Sequence, residues 1–102
     1  HTKDARAAGE TEQRLYMLGA WREAGSMYTP RERAALGWAE AVTKLTNQEV
    51  SDAVYDEARQ QFNEKELVDL TLATIAINGW NRLSIPCRVE AGHYQPAQRH
   101  KA

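Results

Sequence analysis

The side chains that most often carry out chemistry in proteins are sparse in this chain. Its three histidines, His1, His93 and His100, lie far apart in the sequence, and two of them fall in the polar C-terminal tail. This spacing does not match that of a metal site. Glycine-rich phosphate loops and nucleophile elbows are also absent from the sequence. The residues by themselves therefore present no complete catalytic set, and no cofactor or metal is expected.

The single cysteine, Cys87, has two interpretations. It excludes a disulfide within the chain, and it stands between Pro86 and Arg88. The simpler interpretation is a small, half-buried apolar side chain. The alternative is a reactive thiol whose ionised form is favoured by Arg88. The sequence favours the first interpretation, because no other neighbouring residue supports reactivity.

The tryptophans also have a structural and a functional interpretation. Trp80, Asn81 and Arg82 stand together where a long apolar helix is predicted to end. Arg82 suits the negative end of a helix and Asn81 can bond its last carbonyls, so we favour helix termination over a direct role in a site. Trp21, Trp38 and Trp80 could stack on a ligand or on single-stranded nucleic acid. Without a basic groove, however, core positions are the better prediction.

Composition narrows the possible partners and location. The 102 residues suit one domain, and the net charge of −1 creates no field that would attract nucleic acid or an anionic membrane. The longest apolar stretch, Leu67–Ile77, contains Asp69 and is too short to span a bilayer. One cysteine fits a reducing compartment, so we predict a cytoplasmic protein with no nucleic-acid or membrane partner. The chain starts without an initiator Met, and we expect it to be part of a longer protein.

The apolar periodicity predicts an all-α fold. Two capping boxes mark helix starts, one at Thr29-Pro30-Arg31-Glu32 and one at Asn63-Glu64-Lys65-Glu66. Five helices are predicted. The first two cover 1–8 and 12–24, and the fifth covers 64–82. The third starts at Pro30 and has Ala35, Trp38, Val42 and Leu45 on one face, and the fourth has Val50, Val54, Ala58 and Phe62 on one face.

The predicted helix over 64–82 differs from the others in its apolar coverage. Between Leu67 and Ile77 its apolar side chains surround nearly the whole circumference. Such a helix is normally buried on all sides, and four short amphipathic helices barely suffice to cover it. A lone domain would leave one face of this helix exposed. We therefore predict a homo-oligomer.

Three stretches of the chain form a recognisable series. The first is HTKDARAAGE over 1–10, and the second is YTPRERAAL over 28–36. The third is FNEKELVDLTL over 62–72, which leads into INGWNRL over 77–83. In order and spacing, the series resembles the carboxymuconolactone decarboxylase family, in its alkyl hydroperoxidase D-type (AhpD-like) branch. The resemblance covers most of the chain up to about Arg88.

The resemblance implies one catalytic residue, His1, which matches the histidine of the family motif Cys-x-x-Cys-x-x-x-His. It places the two cysteines before His1, outside the sequence given, while Cys87 occupies no family cysteine position. It further implies an AhpD-like helical domain over 1–88 whose N-terminal part is missing, a polar tail over 89–102, and assembly into trimers or hexamers of intertwined subunits. A residue left over from a purification tag is the rival explanation of His1.

The function implied by the resemblance is thiol-dependent reduction of peroxides by the intact protein, with a peroxide as substrate and a thiol or disulfide reductant as partner. The chain without those cysteines is expected to be inactive. A lyase that decarboxylates a muconolactone-type acid is one alternative, although the Thr-Lys-Asp-Ala run over 2–5 resembles the thiol branch. The other alternative is a non-enzymatic oligomeric helical module.

Overall fold

The computed structural model describes residues 13–14 and 17–89, and this part of the chain contains helices and turns but no strand. The all-α prediction is confirmed for these residues. Three α-helices form one compact unit, Tyr28–Arg88. They are α1 (Pro30–Lys44), α2 (Asp52–Gln61) and α3 (Glu64–Ser84), and short 3-10 segments cover Met17–Glu23, Gly25–Met27 and Thr46–Gln48.

Helix α1 begins at the predicted capping box. The Thr29 hydroxyl accepts a hydrogen bond from the Glu32 amide at 3.1 Å, and the Glu32 carboxylate accepts one from the Thr29 amide at 2.9 Å. Pro30 occupies the first turn, where it lacks only an N–H that has no partner inside the helix. The helix ends at Lys44, and the next residue, Leu45, caps it with a left-handed backbone (φ 41°).

Helix α2 supplies the centre of a small core. Its amphipathic pattern was predicted correctly, because Ala58 is fully buried and Phe62 nearly so, while Val50 and Val54 are half-buried. The Ser51 hydroxyl caps the helix by accepting from the Val54 amide at 3.3 Å. The core cluster joins all three helices, and its buried members are Ala34, Ala58, Phe62 and Leu67.

Helix α3 also begins where its capping box predicts. The Asn63 side chain accepts from the Glu66 amide at 2.8 Å, and the Glu66 carboxylate accepts from the Asn63 amide at 3.0 Å. The helix continues to Ser84, two residues beyond the predicted end at Arg82. Thr74 is the buried polar residue of this helix, and its hydroxyl donates to the Leu70 carbonyl at 2.9 Å.

The predicted helix over 12–24 is wrong for most of its length. Residues 13 and 14 are helical, but Met17–Glu23 forms a 3-10 segment that is interrupted at Ala20 (φ −128°, ψ 40°). No side chain of this segment is buried, so the packing that normally stabilises a short amphipathic helix is missing from it. The predicted helix over 1–8 and residues 90–102 of the predicted tail lie outside the described residues.

The tight core around Ala58 yields a stability prediction. A larger side chain at this fully buried position has no space, so Ala58→Leu should lower the free energy of unfolding by about 1–3 kcal/mol. Ala53→Leu, the same change at an exposed position of α2, should alter it by no more than about 0.5 kcal/mol. Urea unfolding of both variants measures the difference, and equal losses would contradict this packing.

Candidate functional site

The predicted catalytic residue, His1, lies outside the described residues, as do His93 and His100. Within residues 13–14 and 17–89, no three His, Cys, Asp or Glu side chains are grouped as they would be to hold a metal ion. The same part of the chain contains no helix long and apolar enough to cross a membrane. The described residues instead present two features: the contacts that hold α3 and the surface that α3 leaves exposed.

An arginine joins the starts of two helices. The Arg31 guanidinium, in the first turn of α1, donates to the Glu66 carboxylate of α3 at 2.8 Å and also to the Gln61 carbonyl. Its central carbon lies 4.3 Å from the centre of the Phe62 ring. Arg31 thus fastens α1 to the junction between α2 and α3 by charge, hydrogen bonding and a cation–π contact.

The Glu66 carboxylate, which accepts the hydrogen bond from Arg31, is held in its ionised form. The hydrogen bond from the Asn63 backbone amide, and next the hydrogen bond from Arg31, lower the pKa of Glu66 below its ordinary value of 4.5. One oxygen of Glu66 therefore caps α3 while the other accepts from α1. Both charged side chains are about half exposed, so solvent weakens the attraction between them.

Polar side chains fix α3 against α1 farther along the two helices. The Trp38 indole donates to the Thr71 hydroxyl at 2.8 Å, and that hydroxyl donates to the Leu67 carbonyl at 2.7 Å. One helical turn or two farther on, Thr43 and the Asn78 amide exchange hydrogen bonds of 3.0 and 3.2 Å. The core position predicted for Trp38 is confirmed, since its ring packs against the buried cluster.

The opposite side of α3 is apolar and exposed. Val68, Leu72, Ile75 and Leu83 are 57%, 58%, 53% and 57% exposed, and they recur at helical spacing along one side. Gly79 stands in the same row, and a Cβ added to it would meet nothing within 4 Å. We call these five residues the outer face of α3. The exposed face that we predicted for a lone domain is thus present, whereas assembly into oligomers stays a prediction.

The C-terminal end of α3 is more exposed than we predicted. The prediction of a core position for Trp80 is wrong, because this side chain is 55% exposed. The prediction that Cys87 is half-buried is also wrong, because it is exposed. Trp80 lies within α3 at a position that α1 and α2 leave uncovered. Cys87 is exposed because α3 ends at Ser84 and the chain enters a turn, whose first side chain, Ile85, is 73% exposed. Exposure leaves the thiol accessible, but no other described feature at Cys87 supports reactivity. Trp21, which we also predicted to be a core residue, is half-buried, and its 3-10 segment contains no buried side chain.

Arg31 and the outer face were not foreseen from the sequence as distinct features. Arg31 and Glu66 are 35 positions apart, and the sequence indicates each of them only as part of its own capping box. The capping boxes themselves were the available signal, because they place both residues in first turns of helices. Which apolar residues of α3 stay exposed depends on where α1 and α2 pack, and this is a tertiary property.

Comparisons with known proteins identify two relatives of greater length. No family model matches the chain. The uncharacterized protein YdfG of Bacillus subtilis is 47% identical over 85 residues, which are 83% of this chain and 57% of that protein. A crystal structure from Agrobacterium tumefaciens superposes with a TM-score of 0.81 at 36% identity, covering 94% of this chain and 62% of the other. That protein is described as one of unknown function and a candidate antioxidant defence protein, AhpD. The chain therefore has the AhpD-like helical fold and spans about three fifths of each relative.

The ionised state of Glu66 yields a pH prediction. A folded-state pKa below the unfolded value adds stability that is fully present above about pH 4.5 and is lost as the pH falls through the lowered pKa. Glu66→Gln keeps a capping side chain but removes the charge, so it should lower stability at pH 7 and lessen the loss on acidification. Glu64→Gln, on the exposed first turn of the same helix, is the control. Denaturant midpoints between pH 3 and pH 7 give the comparison, and parallel profiles for Glu66→Gln and the unsubstituted chain would contradict it.

Proposed function

We propose that this chain belongs to an AhpD-like protein of the carboxymuconolactone decarboxylase family that reduces peroxides through a Cys-x-x-Cys pair preceding His1. The observation that carries the proposal is the likeness to the Agrobacterium protein, at a TM-score of 0.81 and 36% identity, because that protein is described as a candidate antioxidant AhpD. The order and spacing of the three stretches that resemble the family support the same assignment.

The proposed chemistry begins with the cysteine pair. A thiolate attacks one oxygen of the peroxide O–O bond, which releases an alcohol or water and leaves a sulfenic acid on the sulfur. The second thiol then displaces water from the sulfenic acid and forms a disulfide. A thiol reductant must reduce this disulfide before the next cycle. The substrate is therefore a peroxide, the co-substrate is a thiol, and no cofactor is required.

His1 has the role of moving a proton in this scheme. In the family motif the nearer cysteine stands four residues before the histidine, which is about one turn along the same side of a helix. An imidazole at that distance can accept the thiol proton and return it to the leaving alkoxide. The free thiols must be regenerated by reduction, and a cytoplasmic location supplies the reducing conditions for this step.

The first test is the coding sequence immediately upstream of His1. We expect a Cys-x-x-Cys pair there. Three residues should separate its second cysteine from His1. A coding sequence that lacks the pair would contradict the thiol mechanism. In that case turnover of a muconolactone-type acid, with no peroxide turnover, would identify the lyase instead.

The second test measures catalysis by the longer protein. With a dithiol reductant and an organic hydroperoxide, His1→Gln should lower kcat/KM for the peroxide by about 10²–10⁴-fold, the usual contribution of a positioned acid–base group. His100→Gln, the same change in the tail, and Cys87→Ser should leave it unchanged. Equal rates for His1→Gln and His100→Gln would refute the role of His1, and loss of activity in Cys87→Ser would move the reactive thiol to Cys87.

A further inference from the structure

Helix α3 carries two equivalent sets of partners for α1. Each residue through which α3 bonds to α1 or joins the core cluster has a residue of the same chemical type three positions farther along the helix. The first set is Glu66, Leu67, Thr71 and Asn78, and the second set is Asp69, Leu70, Thr74 and Asn81. We propose that α1 has a second register against α3, in which α1 is displaced by three residues and contacts the second set.

The two helices run in a direction that permits this displacement. Arg31 at the start of α1 bonds to the start of α3, and Thr43 near the end of α1 bonds to Asn78 near the end of α3, so the helices are parallel. Three residues correspond to about 4.5 Å along a helix. If α1 moves by this distance toward its own C-terminal end, each of its bonding side chains reaches the next partner. The new pairs are Arg31 with Asp69, Trp38 with Thr74, and Thr43 with Asn81.

The second set already lies on the covered side of α3 or beside it. Leu70 packs against the core cluster, Thr74 is buried, and Asn81 is half-buried. The Thr74 hydroxyl donates to the carbonyl four residues earlier, just as the Thr71 hydroxyl does, so its oxygen can likewise accept a hydrogen bond from an indole. No side chain of α3 has to be replaced or turned inward for α1 to find equivalent partners.

Other contacts make the observed register the more stable one. Arg31 contacts the Gln61 carbonyl and the Phe62 ring, and it gives up both when α1 is displaced. Asp69 bonds to Lys65 at 2.9 Å, and this pair must open before the carboxylate can accept from Arg31. The second register is therefore a minor state of the folded chain, in the range of about 1–10% of molecules.

The connection between α1 and α2 allows α1 to move while α2 and α3 stay together. Seven residues, 45–51, link α1 to α2, whereas only Phe62 and Asn63 link α2 to α3. Leu45, Asn47 and Gln48 have left-handed backbones, with φ of 41°, 55° and 61°, and all three side chains are exposed. Residues other than glycine rarely adopt this conformation, so the connection is strained and a change of its backbone angles releases part of that strain.

The buried side of α1 is smooth enough to slide. Its buried residues are Ala34 and Gly37, and the fully buried residue of α2 is Ala58. Side chains this small do not interlock, so no large group has to pass another when α1 moves along α2. A ligand or partner that binds one register more tightly would shift the population toward that register. The proposal concerns the described helices alone and is independent of the peroxide chemistry.

Paired cysteines test the direction of the displacement. With Cys87 replaced by serine, Thr43→Cys is combined with Asn78→Cys, with Asn81→Cys or with Thr74→Cys, and the disulfide formed within one chain is followed on non-reducing gels. A disulfide requires Cα atoms within about 7 Å. The pair at 43 and 78 should close fastest, and the pair at 43 and 81 about 10- to 100-fold more slowly, as a minor register allows. The pair at 43 and 74, displaced in the opposite direction, should not close.

The chain locked by the disulfide between 43 and 81 should keep its helical circular dichroism and its cooperative unfolding, because α1 then rests on equivalent partners. Two results would overturn the proposal: closure at 81 that is no faster than closure at 74, or loss of helical structure in the locked chain. If a cysteine variant fails to fold in its reduced form, NMR of chains without added cysteines decides the question.

The NMR experiment measures exchange at the Trp38 indole N–H, whose signal is identified by its loss in Trp38→Phe. Relaxation dispersion should detect a minor state in the unsubstituted chain. Asn78→Leu removes a partner from the observed register and should raise the minor population about three- to tenfold, the usual effect of one hydrogen bond, while Asn81→Leu should lower it by a similar factor. An indole without exchange, or two variants that change the population in the same direction, would refute the second register.

Discussion

The apolar circumference of α3 is the constraint on which the rest of the structure depends. A helix that is apolar on every side gains stability on each side that is removed from water, and burial of one large side chain contributes roughly 1.5–3 kcal/mol. Helices α1 and α2 are too short to enclose it, so Leu67 and Thr74 are buried while Leu72 and Ile75 remain exposed. The exposed side of α3 is therefore the described surface at which we predict association.

The contacts on the covered side determine which residues stay outside. Arg31 holds the start of α3 through Glu66, and Trp38 holds its middle through Thr71. Because these bonds fix the rotation of α3 about its own axis, they also fix the direction in which the outer face points. The proposed redox chemistry is assigned to His1 and to cysteines before it, so the described helices contribute a scaffold.

Local chemistry explains what could be predicted from the sequence. The capping boxes at Thr29 and Asn63 set the starts of α1 and α3, because the donors and acceptors they use lie within four residues. The failed prediction over 12–24 shows the limit, since that segment has helical periodicity but buries no side chain. Exposure of Trp80 and Cys87 could not be foreseen either, because it depends on how far the other helices reach along α3. The catalytic prediction, His1, rests on resemblance and lies outside the described residues.

The most direct test of the predicted homo-oligomer is the dependence of thermal stability on protein concentration. If the folded chain is stabilised by association, mass action must raise the melting temperature as the concentration increases. Melting curves of the unsubstituted chain, followed by helical circular dichroism, should therefore shift to higher temperature as the protein concentration is raised from about 1 to 100 μM. A melting temperature that stays constant over this hundredfold range, in a chain that sediments as a monomer, would contradict the account.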